Sequence, residues 1–201
     1  MNISNREIRV KAREALGNSF FDKTWLLAAA VSIVLSIIMT LVSYIGSFGS
    51  ILLTGPIYVG LHIVFLKIVR KDEFVRFSNA FDGINNFGSN VMLGLMYGII
   101  VFLWSLLFLI PGIMKSYSYS LIYFIKADHP EYGWRECLAE SERLMKGNRL
   151  KLFSLNLSFI GWYIFSVLTF GIAGFWVAPY VTAANTIFYE ELKNSQSYYE
   201  I

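Results

Sequence analysis

The sequence predicts an all-α membrane protein of about six transmembrane helices in three hairpins, each preceded by a short amphipathic helix at the cytoplasmic interface. Three observations lead there. Of the 201 residues, 56% are hydrophobic and only 15% charged, with a mean hydropathy of +0.53. Soluble domains carry roughly a quarter charged residues, and a soluble surface this apolar would adhere to its neighbours. Charge is also excluded from long stretches. Trp25 to Leu66 and Leu152 to Tyr189 contain none, and Phe87 to Ile125 contains Lys115 alone. Each stretch is about twice the roughly 20 residues that one span requires. Turn-forming residues then fall near the middle of the stretches, so each folds back as a hairpin.

Taken in order, the first amphipathic segment opens with a capping-box pattern, Ser4 with Glu7 three residues on, and ends near Gly17. Gly46, Ser47, Gly49 and Ser50 divide the first apolar stretch. That stretch is too long for the core of a cleavable signal and is expected to stay as spans. A second segment places Phe74, Phe77 and Phe81 at helical spacing before Gly83. The second stretch turns between Trp104 and Gly112. Pro111 either opens the returning helix, where its missing N–H costs nothing, or kinks a longer one. A third segment carries Trp134, Cys137, Leu138, Ser141 and Met145 on one face, with Arg135, Glu136, Glu142 and Lys146 away from it, and stops near Gly147. Gly171 and Gly174 divide the last stretch. These amphipathic segments are expected at the inner interface, lying on lipid or packed on protein.

Helix, hairpin and a later proline (Pro56, Pro111, Pro179) recur in that order three times. The chain therefore reads as one integral membrane domain over 1–201. Its repeat-like units run about 4–71, 72–128 and 129–193, and 194–201 form a C-terminal tail. Of 17 Lys and Arg, 16 flank the hairpins on one side, which the positive-inside rule makes cytoplasmic, with both termini there. Lys115 is the exception, placed to snorkel towards the outer interface. All 14 acidic residues fall on the inner side. The net charge of +3 forms no basic domain or tail, which argues against nucleic acid as a partner. The single cysteine, Cys137, excludes an intramolecular disulfide and reads as a buried structural thiol.

Catalytic chemistry finds little material. There are two histidines, His62 and His129, and no carboxylate within a span. No H-E-x-x-H, P-loop or dinucleotide fingerprint occurs. No enzyme activity, cofactor, metal site or catalytic residue is expected, and His62 reads as a hydrogen-bonding partner of a neighbouring helix. A polar group is more informative: Ser116, Ser118 and Ser120 with the interleaved Tyr117 and Tyr119, then Asn156, Thr182 and Asn185. These residues line a hydrated cavity, with Pro56, Pro111 and Pro179 as kinks, or they are ordinary interhelical glue. Gly94 and Gly98 form a G-x-x-x-G that permits close helix approach. Trp104, Trp162, Tyr163, Trp176, Tyr180 and Tyr189 fit interfacial belts.

Several motifs resemble one bacterial membrane family. They are Ala80-Phe81-Asp82-Gly83 leading to Asn86-Phe87, Leu103-Trp104-Ser105-Leu106-Leu107 running into Ile110-Pro111-Gly112-Ile113, and Lys115-Ser116-Tyr117-Ser118-Tyr119. Ser141 with Arg143-Leu144-Met145-Lys146-Gly147, Leu157-Ser158-Phe159-Ile160-Gly161-Trp162, and Pro179-Tyr180 with Phe188-Tyr189 complete the set. Together they are similar to the family labelled domain of unknown function 975. More distantly they resemble the membrane portion of glycerophosphodiester phosphodiesterases, whose catalytic domain is missing here. The resemblance implies a multi-pass protein of a bacterial plasma membrane and supplies no activity. The expected role is a non-enzymatic scaffold or accessory protein. Its partners would be membrane lipids or another membrane or cytoplasmic protein. The alternative is a small transporter or channel for a solute or lipid.

Overall fold

A computed structural model of the chain describes residues 3–17, 19–45, 47–72 and 74–197, and among them it is helical with no strand. In order come α1 (Asn5–Leu16), α2 (Lys23–Ile45), α3 (Ser47–Val69), a 3-10 segment (Phe77–Ile84), α4 (Phe87–Leu107) and α5 (Leu109–Ser118). There follow α6 (Ile122–Asp128), α7 (Trp134–Met145), α8 (Arg149–Leu157), α9 (Ile160–Leu168) and α10 (Gly174–Ser197). The capping box at α1 is present: the Glu7 carboxylate accepts the Ser4 N–H at 2.8 Å and Ser4 Oγ accepts the Glu7 N–H at 3.2 Å.

Among the described residues, four segments are long and apolar enough to cross a membrane: Lys23–Tyr44, Gly49–Val69, Phe87–Leu106 and Arg149–Leu168. The last runs through α8 and α9. The two other expected spans do not reach that standard, for different reasons. The fourth is interrupted between α5 and α6, at Tyr119 to Leu121. The sixth, α10, carries Glu190, Glu191 and Lys193 in its second half.

Of the residues expected to divide the first stretch, Ser47, Gly49 and Ser50 lie inside α3. Gly46, between α2 and α3, lies outside the described residues. Gly171, in the last turn, adopts φ +86°, a conformation that costs glycine little. The second turn is made by Phe108 in extended conformation, so Pro111 lies in the first turn of α5 and kinks no helix interior. Its missing N–H belongs to a position with no partner inside the helix. A Cβ at Gly112 would sit 2.3 Å from Ser105 Oγ, so the close return of α5 on α4 requires glycine there. Pro56 and Pro179 do lie inside α3 and α10, and each deprives the carbonyl four residues earlier of its usual donor.

The chain forms two compact units, each assembled from separated segments. The first comprises Met1–Val34, Val64–Phe77 and Leu150–Ile201; the second comprises Leu35–Ile63 and Ser78–Arg149. In the first, α1 packs along α10 and buries Ile8, Ala12 and Leu16. Lys11 pairs with Glu191 and Arg70 with Glu190. Asn5 Nδ2 donates to Ser154 Oγ at 2.8 Å, Arg9 donates to the Ser158 carbonyl at 3.0 Å, and the Tyr180 hydroxyl donates to the Arg9 carbonyl at 3.2 Å. Tyr189 is buried and Tyr180 turns into this packing, which removes both from an interfacial belt.

In the second unit, α4 and α5 form an antiparallel hairpin, and α7 packs against α4, α5 and α6, burying Cys137, Leu138, Ser141, Leu144 and Met145. The apolar faces of α1 and α7 are thus spent on protein. The second expected amphipathic helix is a 3-10 segment instead. Asn79 and Asp82 bond each other locally at 2.9 Å, the kind of short polar pairing that competes with helix. Its Phe77 and Phe81, with Phe74 before it, are exposed. Its backbone lies directly on α3: a Cβ at Gly60 would be 1.9 Å from the Ala80 carbonyl oxygen, and one at Gly83 would be 2.0 Å from that of Pro56. Of the G-x-x-x-G pair, Gly94 meets the Gly55 backbone at 3.0 Å, whereas Gly98 has nothing within 4 Å.

Candidate functional site

The polar residues of the second and third stretches are held mainly by their own helices. Ser116 donates to the Ile113 carbonyl, Ser118 to Met114 and Ser120 to Tyr117, at 2.7 to 2.9 Å. Thr182 bonds the Ala178 carbonyl at 3.0 Å, and Thr186 that of Thr182 at 2.8 Å. A hydroxyl bonded one turn back along its helix is satisfied without a neighbour or water. Asn156 and Asn185 differ: each has a buried side-chain oxygen with no hydrogen-bond partner among the described residues.

The interruption between α5 and α6 is clamped from α7. Ser141 Oγ donates to the Ser118 carbonyl at 2.8 Å and accepts the Leu121 N–H at 3.2 Å. One buried hydroxyl therefore satisfies both backbone groups that the break would orphan. Ser141 was legible as a member of the apolar face of α7, and a serine among Cys137, Leu138 and Met145 is itself the sign of a buried bond.

Lys115 does not reach outward alone. Its Nζ lies 2.8 Å from Glu142 Oε1 on α7 and 3.3 Å from the Tyr119 hydroxyl, and 5.5 Å from the centre of the Trp104 ring. An ammonium beside apolar surface is better served by a carboxylate within reach than by extension along its own stem. Glu142 is also approached by Arg149 at 3.8 Å.

Two further polar groups are buried in the second unit. Lys126 is 2% exposed, and its ammonium donates to Ser89 Oγ and to the carbonyls of Pro130 and Tyr132 at 2.6 to 2.9 Å. Two of these bonds hold the loop between α6 and α7, and the third ties it to α4 through Ser89. His62 Nδ1 donates to the Tyr58 carbonyl, 2.6 Å away, and the ring packs edge-on to Phe124 with Tyr58 and Tyr123 stacked beside it. The sequence suggested a bond to a neighbouring helix; the bond runs instead one turn back along α3 itself, and only the ring contacts reach another element. Among the described residues no group of three His, Cys, Asp or Glu is placed to hold a metal ion.

The first unit contains a cavity of about 510 Å³ lined by Glu14, Gly17, Lys23, Thr24, Leu27, Ile68, Lys71 and Asp72, with Ala15 and Val75. Asp72 accepts the Phe74 N–H at 3.1 Å. Among the described residues, Glu14, Lys23, Lys71 and Asp72 form no ion pair with one another or with other groups. A smaller apolar cavity of about 260 Å³ lies between Phe20, Phe21, Trp162, Phe165, Trp176 and Val177, with Ala173.

A family model described as "Protein of unknown function (DUF975)" matches residues 1–115 and 106–196. The chain belongs to this family. No curated protein and no solved structure matches it, and the more distant similarity to glycerophosphodiester phosphodiesterases is not shown.

The motifs that carry the DUF975 resemblance fall at close contacts. Gly83 lies against Pro56, Gly112 against Ser105, and Ser141 clamps the break after the Lys115–Tyr119 run. Ser158 offers its carbonyl to Arg9, and Tyr180 sends its hydroxyl to the same arginine. In this DUF975 chain the motif residues are thus accounted for by packing. The charged cavity lies elsewhere, and sequence reasoning missed it because its residues come from α1, α2 and the end of α3.

Proposed function

We propose that this DUF975 chain is a non-enzymatic, multi-pass scaffold or accessory protein acting towards lipids or another membrane protein. Its setting is a bacterial plasma membrane, with both termini cytoplasmic and six crossings in a three-unit order. The order of elements supports the repeat: α1 before α2 and α3, the 3-10 segment before α4 and the α5–α6 pair, and α7 before α8–α9 and α10. The charge count supports the orientation, and the Lys115–Glu142 pair brings the one exceptional cation to a helix which that count places inside.

The observation that carries the choice of scaffold over pathway is that Ser116, Ser118 and Ser120 all bond their own helix backbone. Residues lining a hydrated route would instead direct polar groups into it. The test is a thiol-accessibility scan in native membranes, with Cys137→Ser as background and single cysteines at Ser118, Asn156 and Asn185. Protection from water-soluble reagents on both sides is expected. Labelling at these positions would favour a small transporter or channel, the reading that the unpartnered oxygens of Asn156 and Asn185 support.

A further inference from the structure

We propose that the charged cavity of the first unit binds one phospholipid with a zwitterionic, primary-amine headgroup. The inference rests on the membrane reading above and adds a site and a lipid class to it. Depth is the first argument. Lys23 is the first residue of one membrane-spanning segment, and Lys71 follows the end of another at Val69 by two residues. Both ammonium groups therefore lie where spans meet the headgroup layer. Leu27, one turn inside the first span, and Ile68, next to the end of the second, give the cavity an apolar side.

Charge is the second. Two cations and two carboxylates surround one space, yet among the described residues none of the four is ion-paired. Among the described residues the lining carries two cations and two carboxylates, so a net-negative headgroup would meet Glu14 and Asp72 as repulsive neighbours, whereas an amine-phosphate zwitterion complements all four. Lys23 and Lys71 serve the phosphate, and Glu14 and Asp72 serve the amine. The cavity's size lies within the roughly 300–1,000 Å³ of small-molecule sites.

The backbone adds a third. Lys71 terminates α3 in the left-handed conformation, φ +56°, with the Asp72 N–H bonded to the Lys67 carbonyl at 3.0 Å. Glycine is the usual and least costly residue at that position. A lysine there accepts backbone strain at a residue that lines the cavity.

The test uses the full chain, purified in detergent and stripped of lipid. It is titrated with dioleoyl phosphatidylethanolamine or dioleoyl phosphatidylglycerol and read by native mass spectrometry. A single retained phosphatidylethanolamine is expected in preference to phosphatidylglycerol. Lys23→Ala with Lys71→Ala should lower its occupancy roughly tenfold, as loss of charge-assisted bonds to a phosphate does. Glu14→Gln with Asp72→Asn should shift the preference towards phosphatidylglycerol. Circular dichroism melting reports folding, and should the alanine pair fail to fold, the amide pair carries the test. Equal retention of both lipids, unchanged by the amide pair, would overturn the proposal. So would displacement of lipid by an equivalent of free phosphoethanolamine, which would make the ligand a soluble one. Vesicle flotation separates the two readings: a chain that floats without headgroup preference defeats this inference alone, and a chain that does not float defeats the membrane reading.

Discussion

Ser141 and Lys126 show how single polar side chains are used where backbone must break amid apolar surroundings. Ser141 closes both backbone groups at the α5–α6 interruption, and Lys126 gathers Ser89 and two loop carbonyls around one ammonium. Orphaning a buried polar group costs about 1–3 kcal/mol. Ser141→Ala is therefore expected to lower unfolding stability by that amount, measured by denaturant titration in detergent, while Ser116→Ala, whose hydroxyl serves only its own exposed turn, changes little. An equal effect of the two would remove the clamp from the account. The presence of a serine on the apolar face of α7 was legible from the sequence. Its two partners were not, because they lie 20 and 23 residues away and become accessible only where the helix is interrupted.

Helices here owe their ends to local chemistry and their neighbours to backbone contact. The capping box of α1 holds the Glu7 carboxyl below the usual range, first through the Ser4 backbone N–H and then through the Ser4 hydroxyl. A depressed carboxyl contributes stability above its unfolded value, near 4.3, and that contribution is lost as pH falls through the folded value. Protection factors of the first-turn amides of α1, taken relative to unstructured peptide at the same pH, should accordingly fall on acidification below about pH 4, and Glu7→Gln should flatten that dependence. The 3-10 segment behaves differently, since it is positioned by Gly60 and Gly83 rather than by caps. Gly60→Ala would drive a methyl into the Ala80 carbonyl. A loss of about 1–3 kcal/mol is expected from such overpacking, read as a lowered melting temperature; an unchanged one would mean the segment can lift from α3 without cost.

At the level of the entire chain, topology is the property on which the functional reading depends. Reporter fusions at both ends and in the loop between α9 and α10 are expected to place the termini together and that loop opposite. Activity of the loop reporter on the terminal side would reduce the crossings to fewer than six. Hydrophobic and charge patterning alone established the helical class, the α1 cap and the family, because each rests on local sequence: runs of apolar residues, short motifs and a four-residue box. Tertiary packing decided the rest. It buried α1 and α7 against protein, paired Lys115 with Glu142, and brought Glu14, Lys23, Lys71 and Asp72 around one cavity. Those outcomes depend on which residues meet across long chain separations, and periodicity along one helix carries no record of what its faces will touch.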